Sequence, residues 1–175
     1  MRSWPLREPG DIVQHMLLAL KNLLFTVLVP GTVAGFLPYR LSRAGQLTPS
    51  PVLRLAAAFL FAPGLAGYLS CVWSFGSVGR GTPAPIDPPW RLVVVGLHRY
   101  VRNPMYLSVL TVIAGWAVLY RSVALAWYLG IVALMFHAVV VLYEEPALGS
   151  QFGAEYAAYR QSVGRWLPRV RAGRA

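Results

Sequence analysis

The sequence predicts an all-α polytopic membrane protein with about four transmembrane helices, a C-terminal helical hairpin and a cytoplasmic pocket. Three observations carry this reading. The 175-residue chain is 57% hydrophobic and only 13% charged, where a soluble domain carries about 25% charged residues. Its mean hydropathy is +0.53. Four apolar runs are separated by polar, proline-rich or very short connections. The length suits one domain. It is expected to span 1–175, with N-terminal helices over 1–75 and a motif-bearing core over 76–175.

The net charge is +10 and is almost entirely arginine, Lys21 being the one lysine. A basic balance can serve nucleic acid. Here the arginines flank apolar runs, as they do at the ends of membrane helices, so no nucleic-acid partner is expected. Cys71 has no second cysteine to pair with. The N-terminus lacks a short apolar core followed by a small-residue cleavage site, so no removable signal peptide is expected.

Residues 1–11 are polar and broken by Pro5 and Pro9, with Trp4 suited to an interface. The first helix is expected over residues 12–37. Gln14, His15, Lys21 and Asn22 make its early part amphipathic, and Pro30 should kink it. A span needs about 20 apolar residues, so Lys21 must snorkel or face other helices. Residues 38–54 read as a connector containing Arg40, Arg43, Pro49 and Pro51. Residues 55–75 form an uncharged second span in which Pro63, Gly64 and Gly67 permit a bend and close helix approach.

Residues 76–90 are read as loop because their prolines and glycines forbid a regular helix. Residues 91–95 are a short apolar run, either strand-like or lying against the membrane. Pro104 suits the first turn of a third helix, where its missing N–H would be unpaired anyway. That helix is expected over 104–120. Arg121-Ser122 leaves room only for a tight turn into a fourth span over 123–143. So short a turn makes the last two spans antiparallel and returns Glu144 to the face where Arg102, Asn103 and Pro104 lie. Residues 147–175 read as a polar helix with an arginine-rich end.

Charge also sets orientation. With the N-terminus, residues 76–103 and the C-terminus on one side, all 16 basic residues except Arg40, Arg43, Arg54 and Arg121 lie there. The positive-inside rule makes that side cytoplasmic. The expected location is the inner (cytoplasmic) membrane, with both termini in the cytoplasm.

Polar chemistry concentrates at two places joined by the hairpin: residues 96–106 and Glu144-Glu145-Pro146. Two adjacent carboxylates at the end of a membrane helix are costly unless paired or wet. Either they simply end the span, solvated, or one of them binds a cation, with Arg99 and Arg102 available across the hairpin. Ligand spacing for a metal is lacking, and no metal is expected. His137, seven residues before Glu144, would share its helix face, as a structural hydrogen-bonder or as a group that handles a proton. His98 alone reads as a loop histidine on the surface. Asn103 suits an N-cap, and Tyr100, Tyr106 and Tyr143 suit interfacial anchors. No nucleotide-binding glycine fingerprint, nucleophile elbow or HExxH occurs.

Gly96, Tyr100 and Arg102-Asn103-Pro104-Met105-Tyr106, followed by Glu144-Glu145, Leu148, Phe152-Gly153, Glu155-Tyr156, Tyr159 and Arg165-Trp166-Leu167-Pro168, resemble the paired motifs of the isoprenylcysteine carboxyl methyltransferase family. Phospholipid methyltransferases are similar. The resemblance covers roughly residues 76–170. It implies an integral membrane methyltransferase that uses S-adenosylmethionine and takes a lipophilic methyl acceptor from the bilayer. On this resemblance Asn103, Pro104, Met105 and Tyr106 line the cofactor pocket. Leu92, Val93 and His98 touch it, and Glu144 holds the cofactor's cationic amino-acid end. Arg102, Glu145 and His137 are the catalytic candidates.

Three departures bear on substrate. Asn103 replaces the family's common histidine, His98 stands where the eukaryotic enzymes tend to have tyrosine, and Val140 replaces the arginine that serves the prenylcysteine carboxylate. The competing readings are an NADPH-dependent membrane reductase of the related sterol-reductase architecture and a non-catalytic membrane scaffold. The intact constellation of carboxylates and arginines argues against the scaffold.

Overall fold

The computed structural model describes residues 9–42, 48–79 and 91–169. The expected interfacial Trp4, the prolines at 83–89 and the arginines beyond Arg169 lie outside the described residues. The described residues are mostly helical and contain no strand. Helix α1 covers Pro9–Leu28, α2 Leu37–Ser42, α3 Pro51–Ser74, α4 Pro104–Tyr120, α5 Val123–Val139 and α6 Glu145–Ser162. Three stretches are long and apolar enough to cross a membrane: Leu20–Ser42, Pro51–Val78 and Val123–Ser162; α4 is a shorter apolar helix. Large apolar side chains such as Phe59, Trp73, Trp127 and Leu134 point outward, which suits a lipid solvent and not water. The chain is a polytopic membrane protein.

The first span is interrupted where Pro30 removes a backbone donor. The chain continues as a π turn, Gly31–Phe36, and then as α2. Wide turns leave carbonyls in need of donors. Tyr128 Oη of α5 donates to the Val33 carbonyl at 2.8 Å, and Trp116 Nε1 of α4 donates to the Ala34 carbonyl at 2.9 Å. The break therefore fastens the first span to the hairpin. The expected connector at 38–54 is shorter than its composition suggested. Pro38 sits in the first turn of α2, where proline is tolerated, and helix persists to Ser42. Helix α3 also begins earlier than expected, at Pro51. Ser50 caps it by accepting from the Leu53 N–H at 3.4 Å.

Beyond α3 a second π turn, Phe75–Gly79, replaces the start of the expected loop. At the hairpin, Arg121 closes α4 in the left-handed conformation (φ 48°), and Ser122 accepts from the Leu125 N–H at 3.3 Å to start α5. The two-residue turn is as the sequence implies. A third π turn, Val140–Glu144, joins α5 directly to α6, and α6 breaks at Gly153 (φ 48°, ψ −119°), which brings Arg160 of its second half back to 3.7 Å from Glu145.

The core lies between α3, α4 and α5, with Ile113 fully buried and Tyr68, Val109, Val112, Val132 and Phe136 around it. Thr26 of α1 shares a 2.8 Å hydrogen bond with the Tyr68 hydroxyl. Close approach of α3 to α4 rests on glycine. A Cβ at Gly64 would lie 2.8 Å from Val112 Cγ2 and 3.1 Å from the Ser108 carbonyl oxygen. Gly64→Leu is therefore expected to destabilise the protein by about 1–3 kcal/mol or more through overpacking. Gly130→Leu, at a position with open space, should leave the thermal midpoint in detergent nearly unchanged. Equal midpoints for the two variants would contradict this packing.

Candidate functional site

The site forms where the α4–α5 hairpin opens, because three chain segments converge there. Residues 92–94 have no regular structure and lead through the extended Val95 into a 3-10 turn, Gly96–Arg99. Pro104 then starts α4. The segment after α6 turns back alongside, with the Arg102 N–H donating to the Gly164 carbonyl at 2.8 Å and an isolated parallel bridge between Val101 and Gly164. Asn103 stands at the N-cap position but makes no side-chain cap. Its Nδ2 instead donates to the Arg165 carbonyl at 3.2 Å. The side chain thus ties the head of α4 to the returning tail.

The two adjacent glutamates do different work. Glu145 is buried, 7% exposed, and meets three arginines. Arg165 approaches it as a fork, Nε to Oε1 at 2.7 Å and Nη2 to Oε2 at 3.0 Å. Arg102 Nη1 lies 3.0 Å from Oε1, and Arg160 Nη2 lies 3.7 Å from Oε2. Arg102 also donates to the Tyr156 hydroxyl at 3.3 Å. A fork of this kind is both strong and directional. The Glu145 hydrogen bond raises the Arg165 guanidinium pKa, against the pull of burial.

Glu144 faces the other way and accepts a hydrogen bond from the Tyr106 hydroxyl of α4. The Tyr106 ring packs on Phe136 (centroids 4.5 Å apart) and meets Trp166 edge-on at 6.5 Å. This half-buried carboxylate is therefore held by one hydroxyl, and that hydroxyl belongs to a ring fixed among other aromatic side chains. The π turn sets up the division. The Glu145 N–H reaches back five residues to the Val140 carbonyl, and π turns of this sort recur at functional sites.

The same turn breaks the seven-residue spacing expected to align His137 with Glu144. His137 lies exposed on α5, and its Nδ1 accepts from Trp166 Nε1 at 3.1 Å. Its partner is thus the tail segment. His98 is also placed differently from the surface loop expected of it. It is 5% exposed, edge-on to Phe75 at 5.5 Å, and its carbonyl accepts from the Tyr159 hydroxyl at 2.7 Å. Burial lowers its pKa to about 4, with a Val95 backbone hydrogen bond pulling the other way. Leu92 packs into the cluster of Tyr156, Tyr159 and Val163, and Val93 is buried. Pro104 is buried in the first turn of α4, and Met105 packs on the central core. Arg99, offered as an alternative partner for the glutamates, is exposed at the end of its turn.

The structure thus brings together Arg102 with Glu145, Tyr106 with Glu144, and Asn103 with the tail. Sequence reasoning did not single out Arg160, Arg165, Tyr156, Tyr159 or Trp166 as site residues. For Arg165 and Trp166 the available signal was the Arg-x-x-Pro motif.

Residues 52–155, from the first turn of α3 to the middle of α6, match the family model of phospholipid methyltransferases. The chain belongs to the phospholipid methyltransferase family. The matched residues include Arg102, Tyr106, Glu144 and Glu145, while Arg160 and Arg165 lie beyond them. A Haemophilus influenzae protein, described only as uncharacterized, is 42% identical over 65 residues, which make up 36% of this chain and 100% of that protein. No solved structure matches. Family membership makes the chain a membrane methyltransferase.

Proposed function

We propose that the protein transfers a methyl group from S-adenosylmethionine to a lipophilic acceptor at the cytoplasmic face of the membrane. The observation that carries this reading is the Glu144 carboxylate, held by the Tyr106 hydroxyl, whose ring packs on Phe136 and meets Trp166 at the mouth of the hairpin. A partly desolvated carboxylate attracts cations strongly, and aromatic faces add to that attraction. Such a setting fits a donor with sulfonium and ammonium groups, and that donor supplies an activated methyl group when bound.

In this reading Glu144 holds the cationic amino-acid end. Asn103, Pro104, Met105 and Tyr106 line the pocket, while Leu92, Val93 and His98 form the wall under α6. Arg102 and Glu145 satisfy one another and fix the tail, so their part is positioning. His137 holds Trp166 in place. Direct displacement depends mostly on orientation, and orientation is what this braced arrangement provides. The excess of arginine on the motif side supports the cytoplasmic orientation, and the apolar outer surface supports entry of the acceptor from the bilayer.

Calorimetry on detergent-purified protein tests the proposal. S-adenosylmethionine and S-adenosylhomocysteine should bind saturably and NADPH should not. Glu144→Ala should weaken cofactor binding by about 100-fold, as loss of a charge partner in a partly buried site does. Binding of NADPH alone would replace this reading with a reductase. Unchanged affinity in both Glu144→Ala and Tyr106→Phe would remove these residues from the site.

A further inference from the structure

On the outer side of the Glu145 cluster lies a cleft of about 820 Å³. Arg102, Arg160, Arg165 and Arg169 line it, with no carboxylate among its lining residues. Neither Tyr106 nor Glu144 contributes to it; it shares Trp166, whose ring meets Tyr106, with the pocket proposed above. The one carboxylate behind it, Glu145, is shared by three of the four arginines. The cleft therefore holds positive charge well in excess of its internal counter-charge.

The guanidinium groups are already oriented. Arg102 and Arg165 are held by Glu145, Arg160 lies over the Tyr156 ring at 5.9 Å, and Arg169 donates to the Gln161 carbonyl. Each uses only part of its five-donor fork, and the remaining donors suit a tetrahedral oxyanion. Placement narrows the ligand. Arg102 stands two residues before Pro104, where the apolar helix α4 begins, so the cleft lies near the depth of lipid headgroups. Its rim carries Trp166 and the exposed Leu167, apolar groups of the kind that meet acyl chains at an interface.

We propose that this cleft is a phosphate-binding site which takes the headgroup phosphate of an anionic phospholipid. The proposal does not depend on which methyl donor or acceptor the protein uses. Occupancy would neutralise the arginines that hold the returning tail and so stabilise its packed position.

The test is calorimetric titration of the full chain in an uncharged detergent with dihexanoyl phosphatidic acid, dihexanoyl phosphatidylcholine and inorganic phosphate. The phosphatidic acid analogue should bind at least about tenfold more tightly than the zwitterionic one. Arg160→Gln combined with Arg169→Gln should weaken it by about tenfold or more, as loss of charge-assisted hydrogen bonds does. Helical content by circular dichroism establishes that the double variant is folded. A second measurement needs no variant: raising salt should weaken binding to the wild-type chain. Inorganic phosphate binding as tightly as the lipid analogue would retain the phosphate site and name free phosphate as its source. Absence of binding, equal affinity for the two lipid analogues, or affinity unaffected by both the double variant and salt would overturn the proposal.

Discussion

Glu145→Gln is expected to destabilise the protein by about 3–5 kcal/mol, because removing one partner of a buried ion pair leaves the other charge uncompensated. The Arg102 side chain is only 8% exposed, so it cannot turn to water when its carboxylate is gone. Its Nε is already buried without a hydrogen-bond partner, and loss of Glu145 would add a second unmet demand to the same guanidinium. Arg165 and Arg160 are more exposed, 30% and 50%, and can find solvent, so most of the effect should run through Arg102. Thermal unfolding in detergent measures it. Glu155→Gln, an exposed glutamate on the same helix, should shift stability by no more than about 0.5 kcal/mol. Replacing Arg102 and Glu145 together by leucine should recover much of the loss, since an apolar pair of similar volume removes the buried charge altogether. A double variant as unstable as Glu145→Gln would mean that the network acts through Arg165 and the tail.

The spans and the hairpin were legible in the sequence because each rests on a local signal. Uninterrupted apolar length marked the second and fourth spans, and Arg121-Ser122 left room for nothing but a tight turn. That turn was enough to place Glu144 beside the head of α4, where Tyr106 meets it. The π turns were not legible. An extra residue inside an apolar run changes neither its composition nor its length enough to register, yet the turn at Val140–Glu144 moved His137 off the face expected of it. The arginine cluster was hidden for a different reason. Arg160 reaches Glu145 because α6 breaks at Gly153, and Arg165 because the chain after Ser162 lies alongside Arg102; a polar, arginine-rich tail announces neither. Asn103 shows the limit of local rules. Its position is that of a cap, but a tertiary partner, the Arg165 carbonyl, takes its side chain.

His98 was read as a surface residue because it falls in a loop, while the groups that bury it, Phe75 and Tyr159, come from distant segments. That burial makes a specific acid dependence. The folded pKa is about 4, below the ordinary value of 6.5. As pH falls through 6.5 the unfolded chain takes up a proton that the buried ring refuses. The contribution of His98 is therefore fully present above pH 6.5, declines as pH falls, and is exhausted near pH 4. Over that window stability should drop by about 3 kcal/mol from this residue. Unfolding in detergent between pH 7.5 and pH 4.5, for the wild type and for His98→Gln, isolates the effect, because the other histidines and the glutamates are common to both chains. The wild-type curve should be steeper by up to one bound proton between pH 6.5 and pH 4.5. Parallel curves would show that the ring reaches solvent and is protonated without opening the structure. If the difference appears, the same protonation should loosen the Tyr159 contact to the His98 carbonyl. Residues 92–98 would then lose their hold on α6 before the membrane spans themselves come apart.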